Sequence, residues 1–176
     1  MASLFVQTSY VVPSTSTCSS ALTQLSLASL SSFKLIISQF KTANITIVKN
    51  IEEVTLIGLE NELIQVLINI INNARDELIQ KKNLEKLILI DVTKKDTILK
   101  ISIKDNAGGI PDNIIDEVFN SHFTTKEDSN GTGIGLYMSQ MIIKDHLNGV
   151  LEVSNVDFIY NDTSYTGAEF RIYLPL

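Results

Sequence analysis

Asn73, Asp105 and the glycines at 131, 133 and 135 are the residues of this chain whose types and spacing point to chemistry. An asparagine amide oxygen is a hard ligand suited to Mg²⁺, which takes one or two protein ligands and completes its shell with phosphate and water. Asp105 stands at the end of an expected strand, where a carboxylate can accept a hydrogen bond from an exocyclic amine such as that of adenine. Glycines at alternate positions ahead of a helix bring backbone N–H groups and the helix N-terminus to an anion, so Gly131, Gly133 and Gly135 are read as phosphate ligands. Residues 105 to 135, too long for an ordinary connection, run from Asp105-Asn106-Ala107-Gly108-Gly109 to Gly131-Thr132-Gly133-Ile134-Gly135. A glycine cluster at each end of such a segment suits a hinged lid over an anion.

The elements that must carry these residues follow from periodicity. Leu63, Val66, Leu67, Ile70, Ile71, Ala74 and Leu78 recur at spacings of three and four, which predicts a helix over residues 60–80 with one broad apolar stripe. Asn69 and Asn73 lie four apart beside that stripe and are expected on one face. Lys86 to Val92 and Ile98 to Lys104 are β-branched runs joined by Lys94-Lys95-Asp96-Thr97, a predicted hairpin whose second strand runs into Asp105. Ile45-Thr46-Ile47-Val48 and Thr55-Leu56-Ile57 read as two earlier strands. Pro111 opens a short helix through Val118. A further helix runs from Leu136 to about His146, carrying Leu136, Met138, Met141, Ile142 and Ile143 inward. Val150 to Val153 and Gly167 to Leu174 supply the last strands, with Asn155 to Thr166 a polar loop between them. The sum is an α+β two-layer sandwich, a mixed and mostly antiparallel sheet covered on one face by about three helices.

Composition narrows the function classes. The 176 residues carry 14 Lys+Arg against 20 Asp+Glu, a net charge of -6, which argues against a nucleic-acid footprint. Cys18 is the single cysteine, so there is no internal disulfide and no thiolate zinc site, and a reducing, cytoplasmic setting is expected. No apolar run reaches the ~18 residues of a membrane span. Residues 1–33 lack charge and are rich in Ser and Thr, a disordered or targeting-like segment, and residues 34–176 form the expected domain.

In their order the motifs resemble the ATP-binding catalytic domain of sensor histidine kinases, of the GHKL superfamily and its Bergerat fold. Asn69-Ile70-Ile71-Asn72-Asn73-Ala74 is similar to the family's N box, and Asp105-Asn106-Ala107-Gly108-Gly109-Ile110 to its first glycine box. Phe119 through Phe123-Thr124-Thr125-Lys126 is similar to the phenylalanine box, and Gly131-Thr132-Gly133-Ile134-Gly135-Leu136 to the second glycine box. The resemblance implies ATP and Mg²⁺ as cofactors, with Asn73 on the metal and Asn69 one turn earlier in the catalytic site. It implies Asp105 on adenine, Gly109 letting the backbone close around the base, and Gly131, Gly133, Gly135 and Leu136 around the phosphates. Phe123 and Lys126 belong to the lid, Lys126 among the catalytic residues. An amide at Asn69 cannot act as a general base toward water, so transfer of the γ-phosphoryl group is favoured over hydrolysis.

Three departures from the pattern bear on the site: Ala107 replaces the first usual glycine, Ser121-His122 replaces Pro and an aromatic, and Asp76 stands where a Lys is frequent. A positive φ at Ala107 would be strained, so that turn is expected to differ. His122 and His146 are the only histidines, the first read as a lid residue and the second as structural or surface, so the phosphoacceptor His belongs to a separate domain absent from this chain. A response regulator is the partner expected for the family, and a monomer is expected here. The alternatives are an anti-sigma-type serine kinase and a non-catalytic nucleotide-binding or interaction module.

Overall fold

The computed structural model describes residues 23–26, 43–58, 60–81, 85–125 and 132–176. Its centre is helix α1, Glu60–Gln80, whose stripe of Leu63, Val66, Leu67, Ile70, Ile71, Ala74 and Leu78 is buried as the periodicity predicts. Glu60 and Glu62 place negative charge in the first turn, where the helix dipole favours it. The stripe packs on a five-stranded sheet of order β2-β4-β5-β7-β6, formed by β2 (Ile45–Ile51), β4 (Lys86–Lys95), β5 (Ile98–Asp105), β6 (Val150–Tyr160) and β7 (Thr163–Pro175). β2 and β4 are parallel and the other pairs antiparallel. Ile88, Ile90 and Val92 on β4 and Leu99, Ile101 and Ile103 on β5 belong to the same buried core as the α1 stripe. Each such side chain contributes about 1.5–3 kcal/mol by leaving water.

Several expectations need correction. Among the described residues two helices cover the sheet, not three. After Pro111 the chain makes turns and a single 3₁₀ turn, Ile115–Glu117, too short to form a packing face. The second helix, α2, runs Gly135–Met141 and widens into π-helical turns over Ile142–His146. Its inward positions are Leu136, partly buried against the core, Ser139, Ile142 and Ile143, while Met138 and Met141 are 39% and 37% exposed. Asn155 to Thr166 is no loop: β6 and β7 continue as a ladder to Tyr160↔Thr163. Asn161 and Asp162 turn the corner with φ of 47° and 61°, the left-handed pair that a two-residue hairpin requires. Thr23–Ser26 form β1, which pairs antiparallel with β3 (Thr55–Gly58) in a separate two-stranded sheet. No helix among the described residues is long and apolar enough to cross a membrane.

Candidate functional site

The end of β5 sets the site. Asp105 is the last residue of the strand, opposite Ile88 of β4, and beyond it the backbone leaves the sheet. The Asn106 side chain takes over the ladder there, accepting the Leu87 N–H at 2.8 Å on Oδ1 and donating Nδ2 to the Glu85 carbonyl. Asp105 itself is 5% exposed. Its Oδ1 accepts the Ala107 N–H at 2.8 Å and the Ala168 N–H of β7 at 3.3 Å, which leaves Oδ2 as the oxygen for a ligand. Burial pushes this carboxyl from 3.8 up to about 6, against the two backbone N–H bonds that pull it down, with a smaller upward push from Glu77.

The substitution at Ala107 is absorbed without strain. Gly108 and Gly109 take the positive φ values, 93° and 81°, and Ala107 takes none. Gly167 on β7 allows the closest approach in the site: a Cβ there would overlap the carbonyl oxygen of Asp105. An isolated glycine within a strand is the signal that could have found it.

A cavity of about 310 Å³ opens beside Asp105 between the sheet, α1, the loop after β5 and the start of α2. Asn73, Asp105, Gly109, Phe123, Gly133, Gly135 and Leu136 all line it, so three stretches far apart in sequence meet as expected. Its apolar wall includes Ile110, Ile114, Val118 and Phe170, and Phe119 packs edge-on to Phe170 behind that wall at 6.4 Å between ring centroids. Gly133 has a φ of 63°, and a Cβ there would lie 2.6 Å from the Phe123 carbonyl oxygen. The His122 N–H donates to the Gly133 carbonyl at 3.1 Å, which holds the second glycine stretch against the chain at His122. His122 pairs with Ser121 at the surface, and His146 pairs with Glu62 of α1 at 2.7 Å, also on the surface. Lys126 and Gly131 lie outside the described residues.

Asn69 does not join Asn73 in the cavity lining. Its Nδ2 donates to the Gly135 carbonyl at 3.3 Å and to Ser139 Oγ at 3.2 Å, and Ser139 Oγ donates to the same carbonyl at 2.8 Å. Because a carbonyl can only accept, this contact fixes which end of the Asn69 amide is nitrogen. Asn69 is thus a tie between α1 and the first turn of α2. Sequence reasoning also missed Ser139, Asn106 and Asn155, whose partners are distant in the chain.

Asp76, Glu77 and Asp105 give the described lining three carboxylates, and no Lys or Arg is among them. Arg75 is turned onto Asp76, with Nη2 at 2.9 Å and Nε at 3.1 Å from Oδ1. Among the described residues no three His, Cys, Asp or Glu side chains group into a metal cage. The donor at hand is the amide oxygen of Asn73, a fit for a hard cation that brings most of its shell with it.

Residues 58–176 match the family described as histidine kinase-, DNA gyrase B-, and HSP90-like ATPase. The chain is 32% identical over 111 residues to the sensor protein FixL of Bradyrhizobium diazoefficiens, which covers 63% of this chain and 20% of FixL. It is 32% identical over 137 residues to sporulation kinase C of Bacillus subtilis, covering 76% of this chain and 29% of that protein. The chain therefore spans under a third of the length of these relatives. Among solved structures, the catalytic domain of histidine kinase ThkA superposes with a TM-score of 0.72 at 24% identity, covering 88% of this chain and 97% of that domain. The same kinase has been solved in complex with the response regulator TrrA, and that structure matches with a TM-score of 0.64 at 22% identity, over 88% of this chain and 41% of the kinase. These superpositions establish the fold.

Proposed function

The chain belongs to the histidine kinase-, DNA gyrase B- and HSP90-like ATPase family, and from that premise we propose that it is the catalytic domain of a two-component sensor histidine kinase. It binds Mg-ATP and passes the γ-phosphoryl group to a histidine on a separate phosphoacceptor domain, from which a response regulator receives it. The observation that carries this reading is the convergence of Asn73, Asp105, Gly133 and Gly135 on one cavity.

Each group has a defined task. Oδ2 of Asp105 accepts the exocyclic amine of adenine, and the two N–H groups on Oδ1 hold the carboxylate in that orientation. The apolar wall of Ile110, Ile114 and Val118 receives the flat faces of the base. Gly133 and Gly135 present backbone N–H groups to the phosphates at the head of α2. Asn73 would hold Mg²⁺, which when bound supplies charge neutralisation on the phosphates. Because the described lining carries carboxylates and no cationic side chain, a polyphosphate would need its charge compensated by the metal it brings and by Lys126 of the lid.

Asn69 contributes no base for water, since its amide is committed to Gly135 and Ser139. Catalysis on this reading is positioning and exclusion of water, with the nucleophile supplied from another domain. The setting is cytoplasmic, where ATP and response regulators are found.

The test is calorimetric titration of the chain with a non-hydrolysable ATP analogue, with and without Mg²⁺, on the wild type, Asn73→Ala and Asp105→Asn. Metal-dependent binding that both substitutions weaken supports the reading. γ-labelled ATP should leave no acid-labile phosphate on the chain alone and should label a phosphoacceptor domain of a sensor kinase added in trans. Absence of nucleotide binding by the wild type sinks the proposal, and label on serine of an added protein replaces it with a serine kinase.

A further inference from the structure

We infer that Asn155, far from every recognised motif, is the positioning residue that holds the base-side wall of the cavity, an inference that rests on the nucleotide reading above. Between Gly108 and Pro111 the loop after β5 lies along the cavity mouth, with Gly109, Ile110 and Pro111 all in the lining. Its flanks are tied by the Gly108 N–H to the Thr166 carbonyl at 3.0 Å and by the Ile114 N–H to the Pro111 carbonyl at 3.0 Å. In between, the Asn155 amide takes both backbone groups of Ile110. Oδ1 accepts the Ile110 N–H at 2.7 Å, and Nδ2 donates to the Ile110 carbonyl at 2.7 Å.

One side-chain amide here does what a residue of a neighbouring strand does in an antiparallel pair, presenting one donor and one acceptor along a single edge. Ile110 is in effect a one-residue strand added beside β6. The arrangement also accounts for Gly109. A Cβ on Gly109 would lie 2.6 Å from Asn155 Oδ1 and 2.9 Å from its Cγ, so that glycine is bare for the sake of the amide beneath it.

The position of Asn155 in the sheet ties the loop to the base acceptor. Asn155 pairs with Ala168 across the β6–β7 hairpin, one rung beyond the last pair between β5 and β7, Lys104↔Glu169. Ala168 is the residue whose N–H donates to Asp105 Oδ1. A single rung therefore sets both the carboxylate that would read the base and the loop that would lie over it. Of the candidate substitutions, Asn155→Asp is the sharpest. It keeps the acceptor for Ile110 N–H, yet sets a carboxylate oxygen against the Ile110 carbonyl and faces Asp112 Oδ1, now 3.5 Å from Nδ2.

The experiment compares wild type, Asn155→Ala and Asn155→Asp, as full chains, by hydrogen exchange and by titration with an ATP analogue and with inorganic tripolyphosphate, both in Mg²⁺. The Ile110 amide is expected to exchange at least about tenfold faster in both variants, while the amides of Ile101 and Ile103 in β5 keep their wild-type rates. Affinity for the ATP analogue is expected to fall about tenfold in the Ala variant and further in the Asp variant, with tripolyphosphate affinity unchanged. Wild-type affinity for the analogue in both variants overturns the role of Asn155 while leaving the nucleotide site standing. Equal loss for analogue and tripolyphosphate, or faster exchange throughout β5, marks general damage and also overturns it. A wild type that binds no nucleotide removes the premise and the proposal together, and the Ile110 exchange rate then reports only whether the amide holds the loop.

Discussion

Replacing Asp105 by Asn removes one charge and changes almost no volume, and it should separate what this residue does for the fold from what it does for the ligand. Burial has raised the carboxyl from 3.8 to about 6. At about 1.4 kcal/mol per tenfold change in proton affinity, keeping it ionised at neutral pH costs the folded chain about 3 kcal/mol relative to an exposed aspartate. The sign follows from the direction of the shift. A raised folded-state value means that the native chain binds the proton more tightly, so the favourable contribution is full below 3.8 and is lost as pH rises through about 6. An Asn side chain keeps its Oδ1 for the Ala107 and Ala168 N–H groups and has no charge to bury. Urea unfolding should find Asp105→Asn more stable than wild type by up to about 3 kcal/mol at pH 7.5, shrinking to about 1 kcal/mol at pH 4.5. Nucleotide affinity should move the other way. The Asn variant presents Nδ2, a donor, to an amine that is also a donor, and loses a charge-assisted bond of about 1.5–3 kcal/mol, a weakening of roughly 10- to 150-fold. Wild-type affinity should also decline as pH is lowered through about 6, where the carboxylate protonates, with a flat profile in the variant. A stability gap that is the same at both pH values, or a variant that unfolds more easily at pH 7.5, refutes the burial argument. Unchanged nucleotide affinity refutes the base contact.

Three further substitutions probe the frame around the site. Gly167→Ala forces a Cβ onto the Asp105 carbonyl and should lower unfolding stability by about 3 kcal/mol or more, with nucleotide binding lost in parallel; an unshifted urea midpoint would contradict the close approach. Ser139→Ala removes a fully buried hydroxyl that bridges Asn69 and Gly135, so about 1–3 kcal/mol of stability should be lost by thermal unfolding, and Asn69→Ala combined with it should cost less than the sum of the two singles. Ile70→Ala empties a position of 0% exposure at the middle of α1, where about 2–5 kcal/mol is expected and a loss below about 1 kcal/mol would mean that the core closes over the gap.

What was legible in the sequence, and what was not, divides along physical lines. α1 was legible to its ends because a 3.6-residue period over 21 residues has no competing interpretation. The outer half of the β6–β7 hairpin was not. Asn161, Asp162, Thr163 and Ser164 crowd its tip with turn-forming residues, and the alternation of Val156, Phe158 and Tyr160 is diluted by Ile159, which is 75% exposed on an edge strand. Asn69 and Asn73 illustrate the limit of spacing arguments on a helix. Four residues at about 100° each leave the two side chains about 40° apart around the axis. That offset carries Asn73 into the cavity and Asn69 into the hands of Gly135 and Ser139, and only the position of α2 decides it.

The glycines show the same limit from the other side. Their clustering points to the cavity, on the argument that a ligand must approach bare backbone. At Gly109, Gly133 and Gly167, however, the space a Cβ would take is already filled by Asn155, by the backbone at His122 and Phe123, and by the Asp105 carbonyl. Ahead of any ligand, then, these glycines let three separate chain segments close on one another, and the cavity is what that closure leaves. A side chain added at any of them should first damage the assembly of the walls, so loss of binding in such variants ought to be accompanied by loss of stability. Asp105→Asn, whose two effects have opposite signs, is the substitution that does not confound them.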